Sequence, residues 1–135
     1  MNTAVIFWSG TGNTEAMANA VAEGTGVQAM NVSETNAAAA AAYDALLLGC
    51  PAMGAEELEE TEFEPFFAEL EGKLSGKKVG IFGSYGWGDG EWIRLWADRV
   101  KAAGAELIAE PLMINEAPDE DGLAKCRALG EAAKA

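Results

Sequence analysis

The chain has 135 residues, half of them hydrophobic, and its 22 acidic and 9 basic side chains give a formal net charge of -13 at pH 7. The length and the apolar content indicate one folded domain over residues 1–135 rather than a disordered acidic chain. The negative charge argues against nucleic acid or an anionic membrane as a partner and favours basic protein surfaces. Histidine is absent and Cys50 lies far from Cys126, which argues against a zinc site or a histidine-activated nucleophile.

The first residues lack the basic region and the cleavage site of a signal peptide, and no apolar run approaches the roughly 20 residues of a membrane-spanning helix. We therefore expect a cytoplasmic protein, and the strong like charge favours a monomer. The two cysteines are interpreted as buried structural thiols, because their spacing does not match a redox pair.

Strand-like and helix-like segments alternate from the start of the chain. Residues 2–8 are a continuous apolar run, which is typical of a central parallel strand covered on both faces. Residues 14–23 predict an alanine-rich helix that ends at Gly24. Residues 27–32 then predict a second strand.

The alternation continues through the middle of the chain. Ser33 is placed to cap a short helix over the alanines of residues 37–42. Residues 43–49 predict a third buried strand. Pro65 suits the first turn of the next helix, because its missing N–H is not needed there.

Two more strands and two more helices follow. Residues 77–82 predict the fourth strand and residues 91–103 the fourth helix. A fifth strand is expected within residues 105–114, with Pro111 able to interrupt it, and residues 119–133 predict the last helix. The side chains expected to face the core from the fourth helix are Trp92, Leu95, Trp96 and Val100.

This order of segments predicts an α/β fold: a single-domain, doubly wound, five-stranded parallel sheet in the order 2-1-3-4-5, with helices on both faces. Ligands of such sheets bind outside the carboxyl ends of the strands, where the strand order reverses. The three special loops, residues 9–14, 51–56 and 84–90, follow strands one, three and four. Because those strands would be neighbours, we expect the loops to converge on one crevice.

The loop of residues 9–14 predicts an anion site. It lies directly before a helix, where free N–H groups and the helix dipole favour negative charge, and Gly10 and Gly12 allow a tight turn. Glu15 and Ala16 stand where a dinucleotide fingerprint needs its last glycine, and a Walker A lysine is missing. We interpret the loop as a phosphate site with neutral donors only, a plain structural turn being the alternative. The side-chain donors are Ser9, Thr11, Asn13 and Thr14.

The other two loops differ in how informative they are. Residues 51–54 alone are weak evidence for a ligand contact, because a methionine after a strand more often fills the core. Trp87 is flanked by Gly86 and Gly88, which favours contact between its ring and a planar ligand over plain packing. Trp8 is expected in the core.

Three segments resemble short-chain flavodoxins of clostridial-type anaerobic bacteria: Trp8–Glu15, Gly49–Glu60 and Phe82–Trp92. They occur in the family's order and spacing, and the similarity extends through Asn115–Asp119 to Leu129 and Gly130. The resemblance implies non-covalently bound FMN and a low-potential one-electron carrier that shuttles between the semiquinone and the hydroquinone. It also implies electron transfer between redox proteins rather than enzymatic catalysis.

The resemblance further implies which residues contact FMN. The loop of residues 9–14 would bind the phosphate without a counter-charge, Met53 would cover the inner face of the ring and Trp87 the outer face. The Gly54 carbonyl would accept a hydrogen bond from N5–H of the reduced flavin, and Glu56 would pair with N3–H. The complete expected set is Ser9, Gly10, Thr11, Gly12, Asn13, Thr14, Pro51, Ala52, Met53, Gly54, Glu56, Ser84, Tyr85, Gly86, Trp87 and Gly88.

Two positions depart from the family pattern. Pro51 replaces a serine that contacts the phosphate or ribityl chain in some relatives, so that contact is lost. Ala55 stands where relatives have an acidic residue or serine, which changes the electrostatics beside N5. The eight glutamates from Glu56 to Glu71 are expected to lower the second reduction potential and to steer the carrier to basic patches. A solvated acidic face without such a role is the alternative.

Three other functions are alternatives on this fold. An FMN-dependent reductase needs a substrate pocket over the flavin, whereas Met53 and Trp87 together would leave mainly the ring edge free. A flavodoxin-like activator of a metallocofactor enzyme is distinguished only by binding to its partner. A receiver domain is disfavoured because Cys50 stands where the phosphoacceptor aspartate would follow the third strand.

Overall fold

The computed structural model describes residues 2–54 and 56–134, so the expectation for Ala55 lies outside the described residues. One parallel sheet runs in the order β2-β1-β3-β4-β5, with β6 also paired to β4. The strands are β1 (Thr3–Phe7), β2 (Ala29–Asn31), β3 (Ala45–Gly49), β4 (Lys78–Tyr85), β5 (Glu106–Leu107) and β6 (Leu112–Asn115). The helices are α1 (Asn13–Thr25), α2 (Ala37–Ala40), α3 (Phe63–Glu71), α4 (Glu91–Ala102) and α5 (Glu120–Ala132), with a 3-10 turn at Val32–Glu34. The predicted fold class and strand order are confirmed.

Two short strands fill the fifth position of the sheet. β5 pairs with the beginning of β4, where Lys78 lies opposite Glu106, and β6 pairs with its end, where Tyr85 lies opposite Asn115. The residues between them include Pro111, which has no N–H to give to a strand ladder. The predicted interruption of the fifth strand is therefore confirmed.

The sheet buries side chains on both of its faces. In β3, Leu46 and Leu48 pack into one hydrophobic core and Leu47 into the other, because successive side chains of a strand point to opposite faces. α3 and α4 cover the first core, and α1 and α5 cover the second. Helices thus lie on both faces, as predicted.

The helices α1 and α5 approach each other at two glycines. A Cβ added to Gly24 would overlap the backbone carbonyl of Arg127, and one added to Gly130 would overlap that of Val21. Cys126 is buried in the same core, and burial raises the pKa of its thiol to about 11. Cys50 is buried as well, and both cysteines are free thiols, in agreement with their predicted structural role.

Three predictions about the helices were wrong. The first helix does not end at Gly24 but continues to Thr25, with Gly26 at its C-cap. Ser33 does not cap α2, because Asn36 immediately precedes that helix and its side chain accepts a hydrogen bond from Ala39 N at 2.9 Å. Leu95 does not face the core but is 53% exposed. The buried stripe of α4 instead includes Ile93, and its members are Trp92, Ile93, Trp96, Ala97 and Val100.

The fourth strand is longer than predicted. It continues to Tyr85, so Gly83 lies within the strand and does not end it. A Cβ at Gly83 would overlap the Cys50 carbonyl, which shows that glycine here serves a close approach between neighbouring backbones. Ser84 and Tyr85 are consequently held in the sheet, and only the residues after them form the loop.

No helix in the described ranges is both long and apolar enough to cross a membrane.

Candidate cofactor site

A cavity of about 330 Å³ opens at the carboxyl ends of β1, β3 and β4, where the strand order reverses. All three predicted loops contribute to its wall, so the expected convergence is confirmed. The lining residues are Trp8, Gly10, Thr11, Asn13, Pro51, Ala52, Met53, Ser84, Tyr85, Gly86 and Glu116. The other predicted residues do not line it: Ser9, Gly12, Thr14, Gly54, Glu56, Trp87 and Gly88.

The first loop is shaped by its own hydroxyl groups. Ser9 Oγ accepts a hydrogen bond from Gly12 N at 3.1 Å, and Thr11 Oγ1 accepts one from Asn13 N at 3.4 Å. Gly12 has φ 97°, a left-handed conformation that favours glycine, and stands at the N-cap of α1. Each hydroxyl that accepts a bond here retains its hydrogen for donation to a ligand.

The amino end of α1 leaves backbone donors free. Its first internal hydrogen bond runs from Ala16 N to Gly12 O, so the N–H groups of Thr14 and Glu15 have no acceptor within the helix. Gly12 supplies no side-chain cap. These N–H groups and the helix dipole make the amino end of α1 suited to an anion.

Thr14 has a different place from the one expected. Its side chain is buried, and its hydroxyl accepts a hydrogen bond from Ser84 N at 3.3 Å. Thr14 thereby ties the first loop to the end of β4. The Ser84 hydroxyl in turn donates to the Glu116 carbonyl at 2.9 Å, which extends the connection to the segment after β6.

A tight hairpin follows β3. Met53 and Glu57 exchange two backbone hydrogen bonds, of 2.9 Å from Met53 N to Glu57 O and 2.8 Å from Glu57 N to Met53 O. Between them, Gly54 has φ 52° and Glu56 has φ 56°. A non-glycine residue in this region is uncommon, so contacts around Glu56 must compensate for its conformation.

The carboxylate of Glu56 connects this hairpin to the third loop. It accepts hydrogen bonds from Asp89 N at 3.3 Å and from Trp92 N at 3.4 Å. Gly90, the N-cap of α4, has no side-chain cap of its own, so Glu56 caps that helix from a distant segment. Gly88 has φ 87°, a left-handed conformation that favours glycine, and a Cβ there would also press against this carboxylate.

The prediction that Trp8 belongs to the core is confirmed only in part, because Trp8 packs against the first core but is not fully buried. Trp8 is only partly buried and lines the cavity, and its Nε1 donates to Glu62 Oε1 at 3.2 Å. Gly10 lies against its ring, where an added Cβ would come within 3.0 Å of Trp8 Cη2. The position of Trp8 could have indicated this role, because Trp8 directly follows a strand at the carboxyl end of the sheet, where ligands bind.

Glu116 was also missed as a lining residue. It has φ 56°, and its N–H donates to the Tyr85 carbonyl at 2.8 Å. In the sequence, this segment is informative only through the family resemblance. Its contribution depends on the pairing of β6 with the end of β4.

Comparison with known proteins decides the family. The model of the Flavodoxin family matches residues 5–130. The chain belongs to the flavodoxin family.

Two relatives are similar over most of their length. The flavodoxin of Megasphaera elsdenii is 51% identical over 134 residues, covering 96% of each chain. The flavodoxin of Clostridium beijerinckii is 49% identical over 121 residues, covering 86% of this chain and 88% of the relative. The solution structure of two-electron reduced Megasphaera elsdenii flavodoxin superposes with a TM-score of 0.88 at 49% identity, over 98% of this chain and 99% of that one.

Membership of the flavodoxins gives the chain its function. It is an FMN-containing low-potential electron carrier rather than an enzyme, and it exchanges electrons with redox proteins. The resemblance found in the sequence is confirmed.

The site of this flavodoxin fits FMN in shape and in chemistry. A Cβ added to Gly12, Gly54 or Gly86 would meet no other atom within 4 Å, so open space lies beside each of them. Met53 is 37% exposed and Trp87 63% exposed, and a flat aromatic ring would cover such apolar surface. The free N–H groups of α1 suit a phosphate.

The glutamates near the site fall into distinct groups. Glu64 and Glu71 form ion pairs with Arg99, at 2.7 Å from Nη1 and 3.0 Å from Nε, and hydrogen bonds with these two glutamates raise the pKa of the guanidinium. Glu59 is buried. Glu57 and Glu60 are exposed, and their carboxylates form no ion pair or hydrogen bond with residues 2–54 and 56–134. The acidic segment is therefore only partly a solvated face.

Proposed function

We propose that this flavodoxin holds FMN in the 330 Å³ cavity, through the predicted residues that line it and through those in the loops beside it. We further propose that it delivers electrons, as a cytoplasmic monomer, to basic surfaces of redox proteins. The observation that carries this proposal is the meeting of all three loops around one cavity at the switch point of the sheet. When bound, FMN supplies one-electron chemistry that no amino-acid side chain here offers.

The phosphate would lie at the amino end of α1. Thr14 N–H and Glu15 N–H have no acceptor within the helix, and the hydroxyls of Ser9 and Thr11 have hydrogens left to donate. None of the lining residues in the described ranges is basic. The phosphate charge therefore stays without a counter-ion and opposes further negative charge in the cavity.

The ring would lie between Met53, which lines the cavity, and Trp87, whose exposed side chain follows the lining residue Gly86. Gly54 is in the turn of the hairpin and would present its carbonyl to N5–H, since glycine permits the peptide rotation that this requires. To accept a hydrogen bond from N3–H, the Glu56 carboxylate would give up one of its hydrogen bonds to the amino end of α4. Trp87 would exclude water from the outer face, which strengthens every charge interaction inside the site.

Negative charge around the site supports a low potential. At an effective dielectric constant near 20, each unit charge about 10 Å away is worth roughly 1 to 2 kcal/mol before screening. Glu56 and Glu57 lie in the hairpin and Glu60 follows it, and none of the three forms an ion pair with a basic residue among the described residues. Their field makes adding an electron to the cavity less favourable.

The same carboxylates support docking to basic partners. Glu57, Glu91 and Glu116 are exposed on the side of the sheet where the cavity opens. Complementary charge speeds the encounter of two proteins without demanding tight binding, which suits a carrier that must leave after each transfer.

The decisive experiment compares FMN with riboflavin in fluorescence titrations of the apoprotein. Riboflavin shares the ring but lacks the phosphate, so a phosphate-binding loop predicts much tighter binding of FMN. Thr11→Ala removes one proposed donor and is expected to weaken FMN but not riboflavin. Equal affinity of the unaltered protein for both flavins would refute the assignment of residues 9–14.

A further inference from the structure

Glu59 differs from the other acidic residues because it is only 5% exposed, and each of its two carboxylate oxygens accepts two hydrogen bonds. Its Oε1 accepts from Glu62 N at 2.7 Å and from Phe63 N at 2.9 Å. Its Oε2 accepts from Thr61 N at 2.9 Å and from the Thr61 hydroxyl. A buried carboxylate with this many donors is held in one position.

The carboxylate of Glu59 provides the cap that α3 otherwise lacks. Glu62 occupies the N-cap position but makes no capping hydrogen bond with its side chain. Phe63 is the first residue of the helix, and its N–H is among those that Glu59 satisfies. The chain leading out of the hairpin is therefore fixed to the amino end of α3.

The backbone of Glu59 is fixed to the end of β3. Glu59 N donates to Cys50 Sγ at 3.4 Å, and its carbonyl accepts from Glu64 N at 2.7 Å. Cys50 itself is anchored twice, by its N–H to the Phe82 carbonyl at 3.1 Å and by its carbonyl to Trp92 Nε1 at 3.1 Å. The hydrogen bond from Glu59 N to Cys50 Sγ therefore joins the segments that enter and leave the hairpin, and we call this pair the base of the hairpin.

Between Cys50 and Glu59 lie the hairpin residues proposed to meet the flavin. Met53 and Glu57 pair through backbone hydrogen bonds, so the movable part of the loop is the turn between them. Gly54 and Glu56 occupy that turn with positive φ. The segment before Met53 is held separately by a hydrogen bond from Ala52 N to the Ser84 carbonyl at 3.0 Å, so a shift at Glu59 would chiefly displace the Glu56 and Glu57 side of the hairpin.

We infer that Glu59 is a positioning residue for the flavin site: without lining the cavity, it fixes the hairpin that presents Met53, Gly54 and Glu56. The inference rests on the proposed function, because it takes this hairpin as a contact of FMN. Cys50 is its partner in the same role, through the hydrogen bond from Glu59 N to the sulfur. Glu59 thus acts on the flavin through the backbone of the loop.

The test compares Glu59→Ala and Glu59→Gln with Glu60→Gln. Glu60 is the adjacent residue, is exposed and forms no ion pair or hydrogen bond through its carboxylate within the described ranges, so its substitution removes the same charge without removing a contact. FMN dissociation constants and both flavin midpoint potentials are measured for each protein, at low and at high ionic strength. A charge effect is screened by salt, whereas a displaced hairpin is not.

We expect Glu59→Ala to weaken FMN binding about tenfold, the factor that corresponds to one lost hydrogen bond to a charged group, and to shift the midpoint potentials at both ionic strengths. Glu59→Gln retains one carbonyl acceptor, so its FMN affinity should lie between those of Glu59→Ala and the unaltered protein. Glu60→Gln should stay within about twofold of the unaltered protein, with any shift in potential disappearing at high salt.

A second pair of variants keeps the inference testable if Glu59→Ala does not fold. Cys50→Ala removes the acceptor of Glu59 N, and Cys50→Ser restores one in nearly the same place. The positioning role predicts weaker FMN binding for Cys50→Ala and recovery for Cys50→Ser.

Two results would overturn the inference. One is a lower melting temperature for the Glu59 variants with FMN affinity and potentials equal to those of Glu60→Gln, which would make Glu59 a helix cap only. The other is equal FMN affinity of Cys50→Ala and Cys50→Ser. Failure of the unaltered protein to bind FMN would instead contradict the proposed function, and this is measured before any variant.

Discussion

The Thr14 hydroxyl accepts a hydrogen bond from the backbone N–H of Ser84 at 3.3 Å, and this contact joins the first loop of the cofactor site to the end of β4. Both residues are buried, so neither group can turn to water instead. The first loop and the end of β4, which we propose to contact the phosphate and the ring of FMN, are thereby held in a fixed relation.

Replacing Thr14 by valine tests this connection. Valine has nearly the same shape but leaves Ser84 N without its acceptor, which we expect to cost about 1 to 3 kcal/mol of unfolding free energy. Chemical denaturation measures the loss, and Thr14→Ser, which keeps the hydroxyl, is the control. Equal stability of the valine and serine variants would show that the hydrogen bond contributes little.

Trp87 offers a test of the outer cover of the ring. Because its side chain is 63% exposed, Trp87→Ala should barely change the stability of the apoprotein. Burial of the indole against the flavin is worth about 2 kcal/mol, so the FMN dissociation constant should rise roughly thirtyfold in a fluorescence titration. Leu95→Ala, also at an exposed apolar side chain, should leave FMN affinity unchanged. Similar constants for the two variants would refute the assigned role.

The buried carboxylate of Glu59 predicts a pH dependence of stability. Burial acts to raise its pKa, but hydrogen bonds from the Thr61 side chain and from the backbone N–H groups of Phe63, Thr61 and Glu62 lower it below the ordinary value. The stabilisation is therefore fully present above the unfolded-state pKa of about 4.3 and is lost as the pH falls through the lower folded-state pKa.

Urea unfolding at pH 7, 5, 4 and 3 measures this effect. The difference in unfolding free energy between the unaltered protein and Glu59→Gln should be constant from pH 7 to 5 and should shrink below that range. A difference that is the same at every pH would mean that the charge of Glu59 does not contribute.

Electrostatic steering predicts a salt dependence of electron transfer. The second-order rate constant with a basic redox protein, such as a positively charged c-type cytochrome, should fall as ionic strength rises. Glu57→Gln should lower the rate at low salt. Glu106→Gln is the control, because Glu106 is exposed on β5 beside the beginning of β4, away from the cavity. A flat salt profile for the unaltered protein would argue against steering.

The contact between α1 and α5 predicts opposite effects for two glycine substitutions. Gly24→Ala would drive a Cβ into the Arg127 carbonyl and should cost more than about 1 kcal/mol. Gly72 has φ -74° and open space around it, so Gly72→Ala should stabilise the protein by about 0.4 to 1 kcal/mol. Thermal unfolding measures both, and destabilisation by Gly72→Ala would contradict this explanation.

The amino-acid sequence alone determined the strand order, the convergence of the three loops and the family. These depend on local patterns: buried strands such as β3 are continuous apolar runs, and glycines and hydroxyl residues interrupt them where the chain turns. The topology then follows from the few arrangements that an alternating α/β chain can adopt.

The tertiary structure alone decided how individual side chains are used. Trp8 proved to line the cavity, Glu56 to cap α4, and Glu59 to hold the base of the hairpin. Each of these roles depends on a partner far along the chain or on a bend between elements, and a pattern of neighbouring residues holds no information about either. The exposed and the buried glutamates look alike in sequence, and only the distances in the folded chain separate a charge facing solvent from one held by four hydrogen bonds.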